Sequence, residues 1–247
     1  MEYAKGVKGE IDQRPKRFYT LVEVAKDEAG WIVTLDGRAV RTPNGKRLAL
    51  PSEKLAELIA DEWRAQGERI DLASMFNTRR AYGVCDRTAD VRERLIDQSV
   101  RYAGTDLVCY LADRPAELRR RQDAAWGPMR AWAAEHHGVE LVAVTGISPA
   151  DQPDTSLEAV RRHATGLDDF RLDGLVAAVS LTGSAVLGLA VERRRLSAAE
   201  AFELSRIDEA FQIENWGEDG EAVKRTAGQR LEAKALDQWL DALVAAP

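Results

Sequence analysis

The amino-acid sequence predicts an α+β protein, with a small N-terminal antiparallel β domain followed by a larger multihelical domain. Three observations carry that expectation. The first fifty residues hold short β-branched and aromatic runs separated by two tight-turn dipeptides. From Pro51 onward the apolar residues recur at helical spacing. A long uncharged stretch, Leu175 to Val191, calls for a central helix buried on all sides. The division falls at residues 1–50 for the β domain (or to about residue 75) and 51–247 for the helical domain.

The β runs are Phe18 to Val24, Trp31 to Leu35, Ala39 to Thr42 and Arg47 to Leu50. Asp36-Gly37 and Asn44-Gly45 separate the later ones, and these dipeptides accept the positive φ that tight hairpin turns demand. An antiparallel meander follows. A lone meander is marginal in water, so its apolar face must pack on something else.

In the helical part, Leu55, Leu58, Ile59 and Trp63 form one stripe, with Ser52 as N-cap and Gly67 as stop. Val91, Leu95, Ser99 and Tyr102 repeat the spacing. Pro115 opens a helix carrying Leu118, Ala125, Trp126, Met129 and Trp132, and Pro128 inside it should bend or split it. Leu141 to Val144 reads as a short strand, and Asp151 to Asp154 as a loop before a helix starting near Ser156. Ser197-Ala-Ala-Glu200 is a capping box opening a helix with Leu204, Ile207 and Phe211 on one face. Asn215 to Gly220 interrupts it. A last helix runs from about Glu221 to Ala242, stacking Leu231, Ala235 and Trp239.

Composition removes several function classes. With 247 residues the chain can bury about 70% of its unfolded surface, so a metal or disulfide staple is not required. Lys and Arg total 35 against 41 Asp and Glu, a net charge of -6 that offers no field for phosphate backbones and argues against nucleic acid. Cys85 and Cys109 sit among apolar residues and read as buried free thiols, which suits a reducing compartment. The uncharged Leu175 to Val191 stretch is too short and too weakly apolar for a membrane span. Met1 to Lys16 has no apolar core for secretion, and Glu2, Glu10 and Asp12 argue against a mitochondrial presequence. The expected location is the cytoplasm, or the mitochondrial matrix for a trimmed eukaryotic form.

Motifs for chemistry are few. His136 and His137 end a helix and His163 lies in an Arg-rich one; all three read as surface histidines, with no metal site. Gly183 and Gly188 have the spacing of a phosphate loop, but Leu189 stands where its lysine must be. Close helix packing explains these small residues better. The triplets Arg119 to Arg121 and Arg193 to Arg195 read as solvated helix faces or ends. The segment Ile207 to Ala222 is different. It gathers Asp208, Glu209, Glu214, Glu218, Asp219 and Glu221 beside Phe211 and Trp216. It reads either as acids stabilising the last helix, with Trp216 in the core, or as a functional cluster. Paired carboxylates could serve a hydrolase, but no histidine partner or glycine loop accompanies them.

Asn215-Trp-Gly-Glu-Asp-Gly-Glu-Ala222, preceded by Asp208-Glu-Ala-Phe-Gln212, resembles the signature of the assembly chaperones of the F-type ATP synthase alpha subunit, the "ATP twelve" family. Leu50-Pro-Ser-Glu53 leading into Ala60 to Asp71 is similar to the family's first helix. Thr105-Asp-Leu-Val-Cys-Tyr110 with Tyr102 matches a family stretch. Gln122, Trp126 to Trp132, Gly146-Ile147, Gln152-Pro153 and Thr182-Gly-Ser184 follow in order. The resemblance spans roughly Arg17 to Leu243. Met75 to Ala81, read as a loop, departs from the Pro-Leu-Thr of many relatives.

The resemblance implies a small β domain joined to a helical one and a chaperone without cofactor or enzymatic activity. It implies that the protein holds the new alpha subunit until the beta subunit displaces it. The implied contact residues are Asp208, Glu209, Gln212, Trp216, Glu218 and Asp219, with Trp63 structural. The competing readings are a small acidic-site hydrolase and a generic helical scaffold. Because Leu189 replaces the phosphate lysine, calorimetric titration should find ATP and ADP binding no tighter than millimolar. A micromolar constant would contradict the cofactor-free reading.

Overall fold

Asp36 and Gly37 both take positive φ, 47° and 76°, and turn the chain between the second and third strands as the dipeptide predicts. The computed structural model describes residues 12–87, 89–217 and 220–244. Residues 1–11, on which most of the leader expectation rests, and the candidate residues Glu218 and Asp219 lie outside them. Strand β1 (Val22–Asp27) pairs antiparallel with β2 (Gly30–Leu35), and β2 with β3 (Arg38–Ala39), in spatial order β1-β2-β3. The first strand starts later than the run Phe18 to Val24 suggests. Its hairpin turn is Glu28-Ala29, which carries no glycine or asparagine signal. The fourth run forms no strand. Leu50 bridges Trp31 and Arg47 bridges Arg41, while Leu48 and Leu50 are buried.

The sheet's cover is α1 (Glu53–Arg64), which buries Leu55, Ile59 and Trp63. Ser52 accepts the Leu55 amide at 3.1 Å as the expected N-cap. The helix ends at Arg64, short of Gly67, with the Ala65 amide on the Asp61 carbonyl. Beyond it, Phe76–Asp86 forms α2, so Met75 to Ala81 is mostly helix rather than loop. Glu62 of α1 is the reason. Its carboxylate accepts the Asn77 and Thr78 amides at 2.8 and 2.7 Å and the Thr78 hydroxyl at 2.7 Å, capping α2 from outside.

Helix α3 (Ala89–Gly104) leads to β4 (Tyr110–Leu111), which pairs in parallel with β5 (Val144–Thr145). Between the two strands, α4 (Ala116–His137) runs unbroken through Pro128. The carbonyl that proline leaves without a donor belongs to Ala124, and both residues lie on the exposed side of the helix. Trp126, Met129 and Ala133 on the buried side hold the helix together. Helix α5 (Asp154–Thr165) begins two residues before the expected Ser156.

The uncharged stretch is two helices, not one. Helix α6 (Asp169–Thr182) stops at Gly183, φ 68°, and Ser184 caps α7 (Ala185–Glu192) by accepting the Leu187 amide. All of α7 is buried. Asp106, fully enclosed, accepts the Val108 amide at 3.2 Å and the Val186 amide at 3.0 Å, tying the chain before β4 to the start of α7. Burial pushes its carboxyl up to about 6, against the pull of the Ser184 hydroxyl and the neighbouring amides.

His163 is not a surface histidine. Its Nε2 lies 2.8 Å from Glu192, a side chain with no exposed area that also pairs with Arg171, and the His137 ring abuts it. After α7, the capping box of Ser197 and Glu200 is present at the head of α8 (Ala198–Ser205). The helix then breaks at Arg206, earlier than expected, and α9 (Ile207–Trp216) follows. Helix α10 (Gly220–Leu243) buries Ala235 and Trp239 but leaves Leu231 exposed. Sheet and helices share one hydrophobic core. Both cysteines are free; Cys109 is buried and Cys85 half-buried. Among the described residues no helix is long and apolar enough to cross a membrane.

Gly188 accounts for the close approach of α6 and α7. A Cβ there would lie 2.3 Å from Val179 Cγ2 and 3.1 Å from the Val179 amide nitrogen. Gly188→Val is expected to lower stability by about 3 kcal/mol, since backbone cannot yield. Gly228→Ala on α10, where a Cβ meets nothing within 4 Å, should raise it by about 0.5–1 kcal/mol. Paired thermal melts check both. Equal melting temperatures for Gly188→Val and the parent would refute the tight contact.

Candidate partner-binding site

Helix α9 contains Ile207, Phe211, Ile213 and Trp216, yet none of its residues is buried. Its main packing partners among the described residues are α4 and α8. Three polar ties hold it there. Trp126 of α4 donates its indole N–H to the Leu204 carbonyl at 2.8 Å, fixing the entry to the helix. Gln122, itself buried, donates to Asp208 Oδ1 at 2.7 Å and accepts the Ala112 amide at 2.7 Å. Arg121 donates from Nη1 to both Glu214 carboxylate oxygens, at 2.7 and 2.9 Å, and lies over the Phe211 ring. Glu214 and Glu117 raise the Arg121 pKa.

These ties decide which side faces outward. Asp208, Phe211 and Glu214 turn toward α4, so Glu209, Gln212 and Trp216 lie along the other side. Glu209 and Gln212 are exposed, and Glu209 has no ion pair among the described residues. Trp216 is 78% exposed, which overturns its placement in the core. Gly217, φ 86°, ends the helix with its amide on the Ile213 carbonyl. Three of the six candidate residues, Glu209, Gln212 and Trp216, thus share one surface; Asp208 is turned to α4, and the other two lie outside the described residues.

Two features escape sequence reading. Arg121 belongs to a triplet taken as solvated, but its pairing with Glu214 depends on a helix far along the chain. Ile147 is 94% exposed on the turn after β5, at the end of α4 where Arg119 donates to Thr145 at 3.0 Å. Its apolar type gave no sign of this exposure.

The acids of α9 do not converge as a catalytic pair. Asp208 is engaged by Gln122 and Glu214 by Arg121, on different sides of the helix. Among the described residues no group of three His, Cys, Asp or Glu is placed to hold a metal ion. What the arrangement offers is an apolar ring flanked by acids on a surface helix, suited to contact rather than chemistry.

Residues 16–134 match the family model described as "ATP12 chaperone protein". The chain is 23% identical over 216 residues to "Protein atp12, mitochondrial" of Schizosaccharomyces pombe, covering 82% of this chain and 74% of that protein. The crystal structure of Atp12 from Paracoccus denitrificans has a TM-score of 0.84 and 40% identity, covering 91% of this chain and 98% of that one. The Atu1473 protein of Agrobacterium tumefaciens gives a TM-score of 0.88 at 36% identity, covering 93% and 87%.

Proposed function

Because the chain belongs to the ATP12 chaperone family, we propose that it holds the unassembled alpha subunit of the F-type ATP synthase and yields it to the beta subunit. It does so without catalysis and without nucleotide, cofactor or metal. The contact residues are Glu209, Gln212 and Trp216 on the outward side of α9, with Asp208 at its α4 edge and Glu218 and Asp219 following in sequence. The protein works in the bacterial cytoplasm, or in the mitochondrial matrix as a trimmed form, away from nucleic acid and outside the bilayer.

One observation above all supports this reading: α9 carries a largely exposed tryptophan on a helix with no buried residue. Tryptophan is among the residues that most often dominate binding energy at protein interfaces. The acids beside it set the charge of the partner, since a basic patch would be attracted and guided into register. An unassembled subunit exposes apolar interface that aggregates. A chaperone that covers it protects by mass action, and a partner that binds better displaces it with no energy source.

The test is co-expression with the alpha subunit followed by pull-down. Glu209→Lys and Trp216→Ser alter exposed side chains and should stay folded by circular dichroism. Each should lose most of the soluble alpha subunit, because reversing a contact charge or truncating a central ring costs about 2 kcal/mol or more of binding. Glu135→Lys, an exposed charge near the C-terminal end of α4, should behave as wild type. Full recovery by both α9 variants would return the acids to helix-end stabilisation, worth about 0.3–1 kcal/mol.

A further inference from the structure

A cavity of about 470 Å³ opens between the N-terminal sheet and the first two helices, and α9 takes no part in it. Leu35, Val40, Trp63 and Tyr82 give it apolar walls, and Phe18, 72% exposed, stands at its mouth. Its size is that of a ligand site rather than a packing defect.

The polar groups of this cavity are unbalanced. Asp36 supplies a carboxylate, but that carboxylate is already taken by the Thr20 amide at 3.1 Å and the Leu21 amide at 2.8 Å. Those two amides hold it below the usual carboxylate range. Arg38 is exposed and reaches no carboxylate within ion-pair distance among the described residues. Arg41 spends one N–H on the Gly45 carbonyl at 2.9 Å and keeps its charge unpaired among the described residues. Two guanidinium charges thus stand against the one carboxylate of Asp36, so the cavity is net positive and suits an occupant that carries negative charge.

The mouth adds size to the argument. Phe18 sets a largely exposed apolar ring there that a small anion would leave in water.

We propose that this cavity receives an acidic segment of a protein partner, seating one aromatic or branched apolar side chain between Trp63 and Tyr82 while a neighbouring carboxylate meets Arg38 and Arg41. It is a second contact, on the sheet side of the protein, and it stands or falls independently of the α9 surface and of which subunit is the client. Bidentate guanidinium pairing gives such a site preference for carboxylates over other acceptors.

The test uses the full chain labelled with ¹⁵N. The chain has six tryptophan indole signals, and that of Trp63 is assigned by its contact with the Tyr19 ring and by its absence in Trp63→Phe. The probe is acetyl-Glu-Phe-Glu-amide, with acetyl-Lys-Phe-Lys-amide and phenylacetate as comparisons. The acidic peptide should shift the Trp63 indole signal saturably, with the lysine peptide at least about tenfold weaker. Arg38→Glu, at an exposed position and checked by circular dichroism, should weaken the acidic peptide about tenfold. An indole signal unmoved by the acidic peptide would overturn the proposal. So would equal binding of the lysine peptide, which would show a merely greasy pocket. Phenylacetate binding as tightly as the peptide would overturn it in favour of a small anion.

Discussion

The reversal at Gly183-Ser184 is the constraint from which the helical part of the molecule is built. Gly183 takes a left-handed conformation, Ser184 caps the next helix, and α7 folds back against α6. That return is possible because Gly188 lets the two backbones touch at Val179. Asp106 then binds the start of α7 from outside, and α3, α4 and α8 all pack around the buried helix so formed. Such a centre tolerates little change, because a packed core responds to a single added carbon.

The outward helix inherits its position from that centre. Helix α7 sets α4; α4 presents Arg121, Gln122 and Trp126; these three catch Glu214, Asp208 and the Leu204 carbonyl. The result is a contrast within a few turns of chain: a helix buried along its whole length, and another with nothing buried. Segments held by few buried contacts open at lower free energy than the core. A chaperone gains from that arrangement, since a compliant surface helix can adjust to a client without disturbing the scaffold.

Much of this fold was legible from residue pattern. The turn at Asp36-Gly37, the Ser52 cap and the capping box at Ser197 are local devices, and local devices can be read from a few neighbouring residues. The misreadings share a physical cause, which is that the deciding partner is distant in sequence. Glu62 converts Met75 to Ala81 into the start of a helix from outside it. Packing of Trp126, Met129 and Ala133 into the core carries α4 past Pro128. Glu192 draws His163 inward. The break inside Leu175 to Val191 was signalled by Gly183-Ser184, but uniform burial on every side erased the periodicity that would have separated two helices. For the site, residue types marked the acidic segment, while the exposure of Trp216 could come only from knowing what α4 leaves uncovered.

The claim that α9 is the client surface is tested most directly by hydrogen–deuterium exchange on the complex with the alpha subunit, compared with the free protein. Exchange at residues 207–217 should slow markedly on complex formation, while the already protected α7 should not change. An alpha-subunit complex in which residues 207–217 exchange as fast as in the free protein, with protection elsewhere, would contradict the account.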